Sequence, residues 1–250
     1  MGVALGNCAG GFYAGELDLY PALRGVPTAP GDERLAFWTS VRRTLRRSGY
    51  TPNPDWRKWF EHPRSLANTG QFRSPRVYRD FNDALYHSIS AESGAAVVVD
   101  SSHHPLRRLR LGRLRSVTFC TLYLVRDPVE VVRSLQTDIS PKRRLAANVY
   151  VWCVAGLAEL VFAVVRGPKL RLRFEDFTAD PAETTRRVCA LCPDLDSAGV
   201  DYDVLSTGLP LAGNRIIRNA TIRVRPSRSA ATRDYSRWVQ LPWRVRSGYR

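Results

Sequence analysis

The chain has 250 residues, 44% hydrophobic and 24% charged, with 38 Lys and Arg against 23 Asp and Glu, a formal net charge of +15. That apolar share excludes a disordered polyelectrolyte and is enough for one sizeable core, so a single domain over 1–250 is expected. The charge excludes indifference to polyanions, and it does not choose among nucleic acid, acidic lipid and nucleotide phosphate. Almost all of the excess is Arg, which suits bidentate phosphate contacts and equally reflects a GC-rich codon bias.

In chain order, Asp32 to Arg47 carries helical periodicity. Thr51 to Arg73 comes next, with Trp56, Trp59 and Phe60 among prolines, and reads as an irregular aromatic lid or insertion. Pro75 to Ala91 is again helical. Two β-rich runs stand out after it, Ala95 to Asp100 (AAVVVD) and Val117 to Val125 (VTFCTLYLV). Each is too continuously apolar for a strand with one wet face, so both are expected as central parallel strands. The basic helical segment Pro105 to Arg115 lies between them, and a helical segment opening with proline, Pro128 to Gln136, succeeds the second.

A long helix is expected at about 143–166, then a Gly167-Pro168 break, a third strand at Lys169 to Phe174 and a helix from Pro181 to Leu191. Strand and helix alternate, which predicts an α/β fold with a doubly wound, mostly parallel sheet flanked by helices. From Gly208 to residue 250 the chain is rich in Arg, Ser and Thr, with one alternating run at Thr221 to Val224, and reads as an arm across the domain.

Leu145 to Val165 approaches the length of a membrane span, but Glu159 near its middle would be costly in lipid and an apolar strand comes at once after it. A soluble core helix is expected, with no transmembrane segment. Cys8, Cys120, Cys153, Cys189 and Cys192 form no even disulfide framework, and the N-terminus has no signal-peptide pattern. Both point to a reduced, cytoplasmic setting. Cys189 and Cys192 make a C-x-x-C without a second pair, which predicts two half-buried thiols and no metal.

The string Leu124-Val-Arg-Asp-Pro-Val-Glu-Val-Val-Arg-Ser134 begins where a central strand stops. Ligands of open α/β sheets bind outside the carboxyl ends of the strands, where Arg126 sits. Asp127 is a natural N-cap and Pro128 a natural first helical residue. Ser134 lies seven residues past Asp127, about two helical turns, so Arg126 and Ser134 can converge on one anion. A plain capped turn is the alternative reading of the same string.

This spacing resembles the 3'-phosphate-binding motif of bacterial-type sulfotransferases that use 3'-phosphoadenosine-5'-phosphosulfate (PAPS), in which such an Arg and a Ser contact the 3'-phosphate. Three further segments resemble the family in its order: Val97 to Pro105 (VVVDSSHHP), Arg171 to Pro181 (RLRFEDFTADP), and Gly213-Asn214 with the basic residues after it. Trp152 stands where bacterial members often carry Trp.

The resemblance implies a P-loop-like fold and sulfuryl transfer from PAPS, without a metal, to a small-molecule, glycan or lipid acceptor bearing a hydroxyl or amine. It implies Arg126, Ser134, Ser102, Arg215 and Arg218 as nucleotide contacts. Glu16, in Tyr13-Ala-Gly-Glu-Leu17, occupies the position of a catalytic base in several members, where a carboxylate takes the acceptor's proton; a surface or capping glutamate is the alternative.

Two departures stand out. The family's Ser-Ser-Lys is Ser101-Ser102-His103 here, next to His104, so a fixed cation is exchanged for a group mostly neutral at pH 7. The G-x-x-R-S-G-T-T loop that cradles the 5'-phosphosulfate does not occur among the 250 residues. Gly2 to Gly15 resembles the helix after that loop and the next turn, an expectation of roughly twenty residues missing upstream. Three other readings remain: a truncated, catalytically inactive relative; a P-loop kinase, disfavoured for want of G-K-[ST]; and a basic nucleic-acid-binding protein, which lacks any helix-turn-helix, RNP or zinc signature.

Overall fold

In the computed structural model, the described residues are 1–29, 31–62, 76–112, 114, 116–127, 130–131, 141–213 and 215–225, apart from the side chains of 141–148 and 215–216. The fold is mixed α/β, about half helical, with small parallel sheets. Helix α1 (Gly2–Gly6) leads into β1 (Gly11–Gly15), a 3-10 turn (Leu17–Leu19) and a short α2 (Tyr20–Leu23). Helix α3 (Asp32–Arg47), a turn of π-helix (Arg57–Glu61) and α4 (Arg76–Ser93) precede β2 (Val97–Asp100). Then come α5 (Pro105–Leu111), β3 (Thr121–Val125), α6 (Pro141–Val164), β4 (Lys169–Arg173), α7 (Phe174–Ala179) and α8 (Pro181–Cys189). A small antiparallel pair, β5 (Leu205–Ser206) and β6 (Thr221–Ile222), closes the described chain, with the 3-10 turn Arg215–Arg218 between them.

Local chemistry explains the well-formed helices. Phe37, Trp38, Val41 and Leu45 recur at helical spacing on α3, as do Tyr78, Phe81, Leu85 and Ile89 on α4, and the two faces meet in one aromatic-rich core. Asp180 caps α8 by accepting the Glu183 N–H at 2.9 Å, with Pro181 at the first helical position.

β1 pairs in parallel with β2, Gly11 opposite Val97 and Gly15 opposite Asp100. β3 pairs in parallel with β4, Thr121 opposite Lys169 and Val125 opposite Arg173. Both pairs lie over one apolar layer, where Leu5, Leu172, Val188 and Leu195 pack against Val97, Val99, Leu122 and Leu170. Val98 and Phe12 face the α3–α4 core on the other side. The parallel α/β architecture therefore matches the sequence reading at the coarse level. In place of one doubly wound sheet, the described residues form two separate two-stranded parallel sheets, so β2 and β3 are each paired on one side only.

Boundaries shift modestly. Val117 to Cys120 lead into β3 without joining it, because the pairing starts where Thr121 meets Lys169. Phe174 opens α7 instead of ending β4, and α8 stops at Cys189. Most of the expected helix Pro128 to Gln136, residues 63–73 of the aromatic stretch and 226–250 of the C-terminal arm lie outside the described residues. Among the described residues, no helix is long and apolar enough to cross a membrane. Helix α6 buries Val161 but leaves Val149, Leu160 and Val164 exposed, so it is covered on one side only.

Candidate active site at the carboxyl edge

At the end of β1 the chain turns at Gly15, with φ at +77° and the Ala212 carbonyl oxygen filling the space where a Cβ would sit, so only glycine fits. The turn brings Glu16 and Asp18 beside the loop after β2, Asp100 to His104. Asp100 organises that loop. Its Oδ1 accepts the Ser102 N–H at 2.9 Å and the Ser102 hydroxyl, while its Oδ2 accepts from Tyr86 Oη at 2.8 Å and Arg107 Nε at 3.0 Å. Burial raises the Asp100 pKa, but the Arg107 charge and the bonds from Ser102 and Tyr86 outweigh it and hold the carboxyl below its ordinary range.

Ser102 ties the two loops together, because its Oγ also accepts the Asp18 N–H at 2.9 Å. Its single hydroxyl proton goes to Asp100, which leaves none for a phosphate oxygen in this arrangement. Ser101 Oγ lies 3.1 Å from Tyr13 Oη.

Glu16 and His103 meet at 3.1 Å, Oε1 to Nε2, with Glu16 12% exposed and His103 62% exposed. The hydrogen bond to Glu16 raises the His103 pKa above its ordinary value against a smaller burial effect. His104 behaves oppositely. It is 7% exposed, its ring nitrogens have no hydrogen-bond partner among the described residues, and its Nε2 lies 3.7 Å from Asp18 Oδ2. Burial pushes its pKa down to about 4. Asp18 itself pairs with Arg57 Nε at 2.8 Å, so the π-helical turn Arg57–Glu61 closes over this corner.

Beneath the corner lies a buried ionic network that the sequence does not announce. Arg107 Nη1 contacts Glu61 Oε1 at 2.7 Å, Tyr78 donates to the same carboxylate, and Arg107 also holds Asp100. Burial disfavours the charge on Arg107, but Tyr86, Glu61 and Asp100 overcome it and lift its pKa well above the usual value. Burial pushes Glu61 up, opposed by Arg107 and Tyr78. The segment Pro105 to Arg115 reads in sequence as a basic helix, and nothing in its spacing separates the buried Arg107 and Arg110 from the half-buried Arg108.

The second edge is sparser. Arg126 comes directly after β3, its guanidinium 5.0 Å from the Phe174 ring and 3.5 Å from Glu130 Oε2, with the side chain 35% exposed. Its Nε is buried without a hydrogen-bond partner among the described residues. Asp127 Oδ1 accepts the Glu130 N–H at 3.3 Å and its carbonyl accepts the Val131 N–H at 3.0 Å, the expected start of a capped helix. Glu175 Oε1 accepts the Asp127 N–H at 2.8 Å, joining the ends of β3 and β4.

Ser134 lies outside the described residues, as does the Arg215 side chain. Arg218 is exposed on its 3-10 turn. Ala212, just before that turn, bridges to Gly15, which places this segment at the β1 edge. The structure thus brings Glu16, Ser102, His103 and His104 together and places Arg126 at the end of the other strand pair. A shallow hollow lined by Arg42, Arg43, Arg46 and Arg47 lies on α3, on residues that take no part in either edge.

Among the described residues, no cluster of His, Cys, Asp and Glu has metal-binding geometry. The five cysteines are free thiols; Cys192 is buried and Cys189 half-buried, and burial, together with the neighbouring Cys120, pushes Cys192 up to about 12. Comparison with family models, with curated proteins and with solved structures finds no match for this chain.

Proposed function

We propose that the chain is a PAPS-dependent sulfotransferase of the bacterial type, with a P-loop-like sulfotransferase fold whose first strand and 5'-phosphosulfate loop are missing from these 250 residues. The observation that carries the reading is the Glu16–His103 pair, held at the carboxyl edge of a parallel strand pair by a loop that Asp100 and Arg107 fix from below. In the reaction, the acceptor oxygen bonds to sulfur as the bond from sulfur to the phosphate oxygen breaks. Adenosine 3',5'-bisphosphate leaves, and the acceptor's proton passes to Glu16.

Glu16 Oε1 holds His103, which leaves Oε2 for that proton, a general-base contribution of roughly 10²–10⁴-fold. The same hydrogen bond raises the His103 pKa, which favours the charged ring at the position of the family's lysine. Arg126, whose Nε has no hydrogen-bond partner among the described residues and whose face meets Phe174, grips the 3'-phosphate together with Ser134. Ser102 acts as a brace between loops, a role that its bonding supports better than phosphate contact.

Binding is the first test, because the loop for the 5'-phosphosulfate has no counterpart among these residues. Calorimetry is expected to give at least tenfold tighter binding for adenosine 3',5'-bisphosphate than for 5'-AMP, about 1.4 kcal/mol of preference. Equal affinities would remove the reading. Binding to arbitrary DNA with steep salt dependence, in place of the nucleotide preference, would assign the positive charge to nucleic acid.

A further inference from the structure

The C-x-x-C of Cys189 and Cys192 takes no part in the site above, and the fold brings two more thiols to it. Four of the five cysteines, Cys8, Cys120, Cys189 and Cys192, meet in one apolar layer with Leu5, Leu172, Val188 and Leu195. Three segments carry them there. Cys8 lies between α1 and β1, its thiol donating to the Ala4 carbonyl at 3.5 Å. The next residue, Ala9, exchanges both backbone hydrogen bonds with Asp196, at 2.8 and 3.1 Å, which pins Cys8 beside the turn that holds the C-x-x-C. Cys120 comes directly before β3, and its thiol donates to the carbonyl of Leu191, inside the C-x-x-C, at 3.3 Å. Cys189 ends α8, and its carbonyl accepts the Cys192 N–H at 3.0 Å.

The thiols divide into two pairs. Cys189 is the hydrogen-bonding neighbour of Cys8, and Cys120 that of Cys192. In each pair one member is buried, Cys8 or Cys192, and the other is half-buried, Cys189 or Cys120. Burial pushes both Cys8 and Cys192 up to about 12, and the neighbouring thiol adds to each shift, so at neutral pH both are held as thiols. Each pair also belongs to a different sheet. Cys8 precedes β1 of the first strand pair and Cys120 precedes β3 of the second, and no strand pairing joins the two sheets among the described residues.

From this arrangement we infer that the cluster is a site of reversible oxidation, in which Cys8 bonds to Cys189 and Cys120 to Cys192, stapling the turn after α8 to both sheets. The oxidant is a low-molecular-weight disulfide. The half-buried thiol of a pair, the one solvent reaches, loses its proton and attacks that disulfide, forming a mixed disulfide and releasing one small thiol. Its buried neighbour then loses its proton and attacks the protein sulfur of the mixed disulfide, which releases the second small thiol and leaves the S–S bond. Each link removes two hydrogens from the protein and reduces one small disulfide to two thiols. The two thiols of the C-x-x-C thus serve different partners and do not bond to each other. The cluster lies at the amino ends of β1 and β3, whereas Glu16 and Arg126 come directly after their carboxyl ends, so oxidation and sulfuryl transfer stand or fall separately.

The test treats the full 250-residue chain, first reduced, with oxidised glutathione, alkylates the remaining thiols and maps the links by mass spectrometry. Peptides joined through Cys8–Cys189 and Cys120–Cys192 are expected, with a Tm about 5 °C or more above that of the reduced chain, reversed by dithiothreitol. Cys153, exposed and outside the cluster, is expected in neither link. Cys189→Ala and Cys120→Ala should each lose one link and keep the other. The Cys8–Cys189 link closes the longer loop, so Cys120→Ala, which keeps it, should retain the larger share of the Tm gain. The inference is overturned if the native chain forms a Cys189–Cys192 link instead, if its four thiols stay alkylatable or carry only glutathione, or if the two links appear only in urea. Mapping of the unsubstituted chain decides these outcomes even where a variant fails to fold.

Discussion

The carboxyl edge of β1–β2 and that of β3–β4 are built on opposite plans. At the first, two loops are fixed by Asp100, Ser102 and Arg107 through direct bonds, and Arg107 and Glu61 are buried. At the second, Arg126 is one-third exposed and held by a ring face and a 3.5 Å carboxylate contact. A buried network of this kind is held in place by its own bonds. At Arg126, a buried Nε without a hydrogen-bond partner among the described residues is a place where an anion would bond. The contrast predicts that substitutions in the buried network under the first edge act on stability and that those at the second edge act on binding.

The largest expected effect is Arg107→Ala. It leaves Asp100 and Glu61 as buried carboxyls without their counter-charge, at a cost of about 3–5 kcal/mol in chemical denaturation. A loss below about 1 kcal/mol would show that the network is not the foundation of this edge. Next comes acid. His104 has a folded pKa near 4 against an ordinary 6.5, so the unfolded chain takes up its proton first as pH falls. Stability is therefore expected to drop between about pH 6.5 and 4 by up to about 3 kcal/mol, and His104→Gln should flatten that limb of the profile.

The two edges are unequally legible in the sequence. Strand β2, the Asp127 cap and the position of Arg126 come from local rules: continuous β-branched runs, Asp-Pro at a helix start, the end of a strand. The Glu16–His103 contact joins residues 87 positions apart, and sequence reading proposes Glu16 on resemblance while His103 enters only as the residue that replaces the family's lysine. Arg107 is unreadable for a different reason. Burying a guanidinium requires Glu61, Tyr78 and Tyr86 from two other segments, and a single segment's pattern carries no trace of partners that arrive through the fold. The separation of the sheet into two pairs is equally hidden, since VVVD and TLYLV have the composition of strands flanked on both sides.

At the second edge, Arg126→Ala is expected to change stability by less than about 0.5 kcal/mol while weakening adenosine 3',5'-bisphosphate at least tenfold in calorimetry. Arg126→Lys keeps the charge but not the planar fork, and should recover only part of the loss. If both variants retain full affinity for the nucleotide, Arg126 is the surface partner of Glu130 and nothing more.

The smallest effect is the most specific. Glu16→Gln removes the charge that holds His103 protonated, so NMR titration of the imidazole should show its pKa falling back toward 6.5 or below, since burial alone lowers it. A histidine raised by its partner contributes stability that is present below pH 6.5 and lost as pH rises through its folded pKa. That contribution is small for a ring this exposed, so melting should barely change. Under the proposed mechanism, sulfuryl transfer by contrast uses the Glu16 carboxylate as base beside a charged His103, so it is expected to decline as pH rises through the His103 pKa. In Glu16→Gln the base is gone and His103 loses its charge at lower pH. An unshifted His103 titration would break the pair itself, whereas a shifted titration with transfer unaffected would keep the pair and move the chemistry elsewhere.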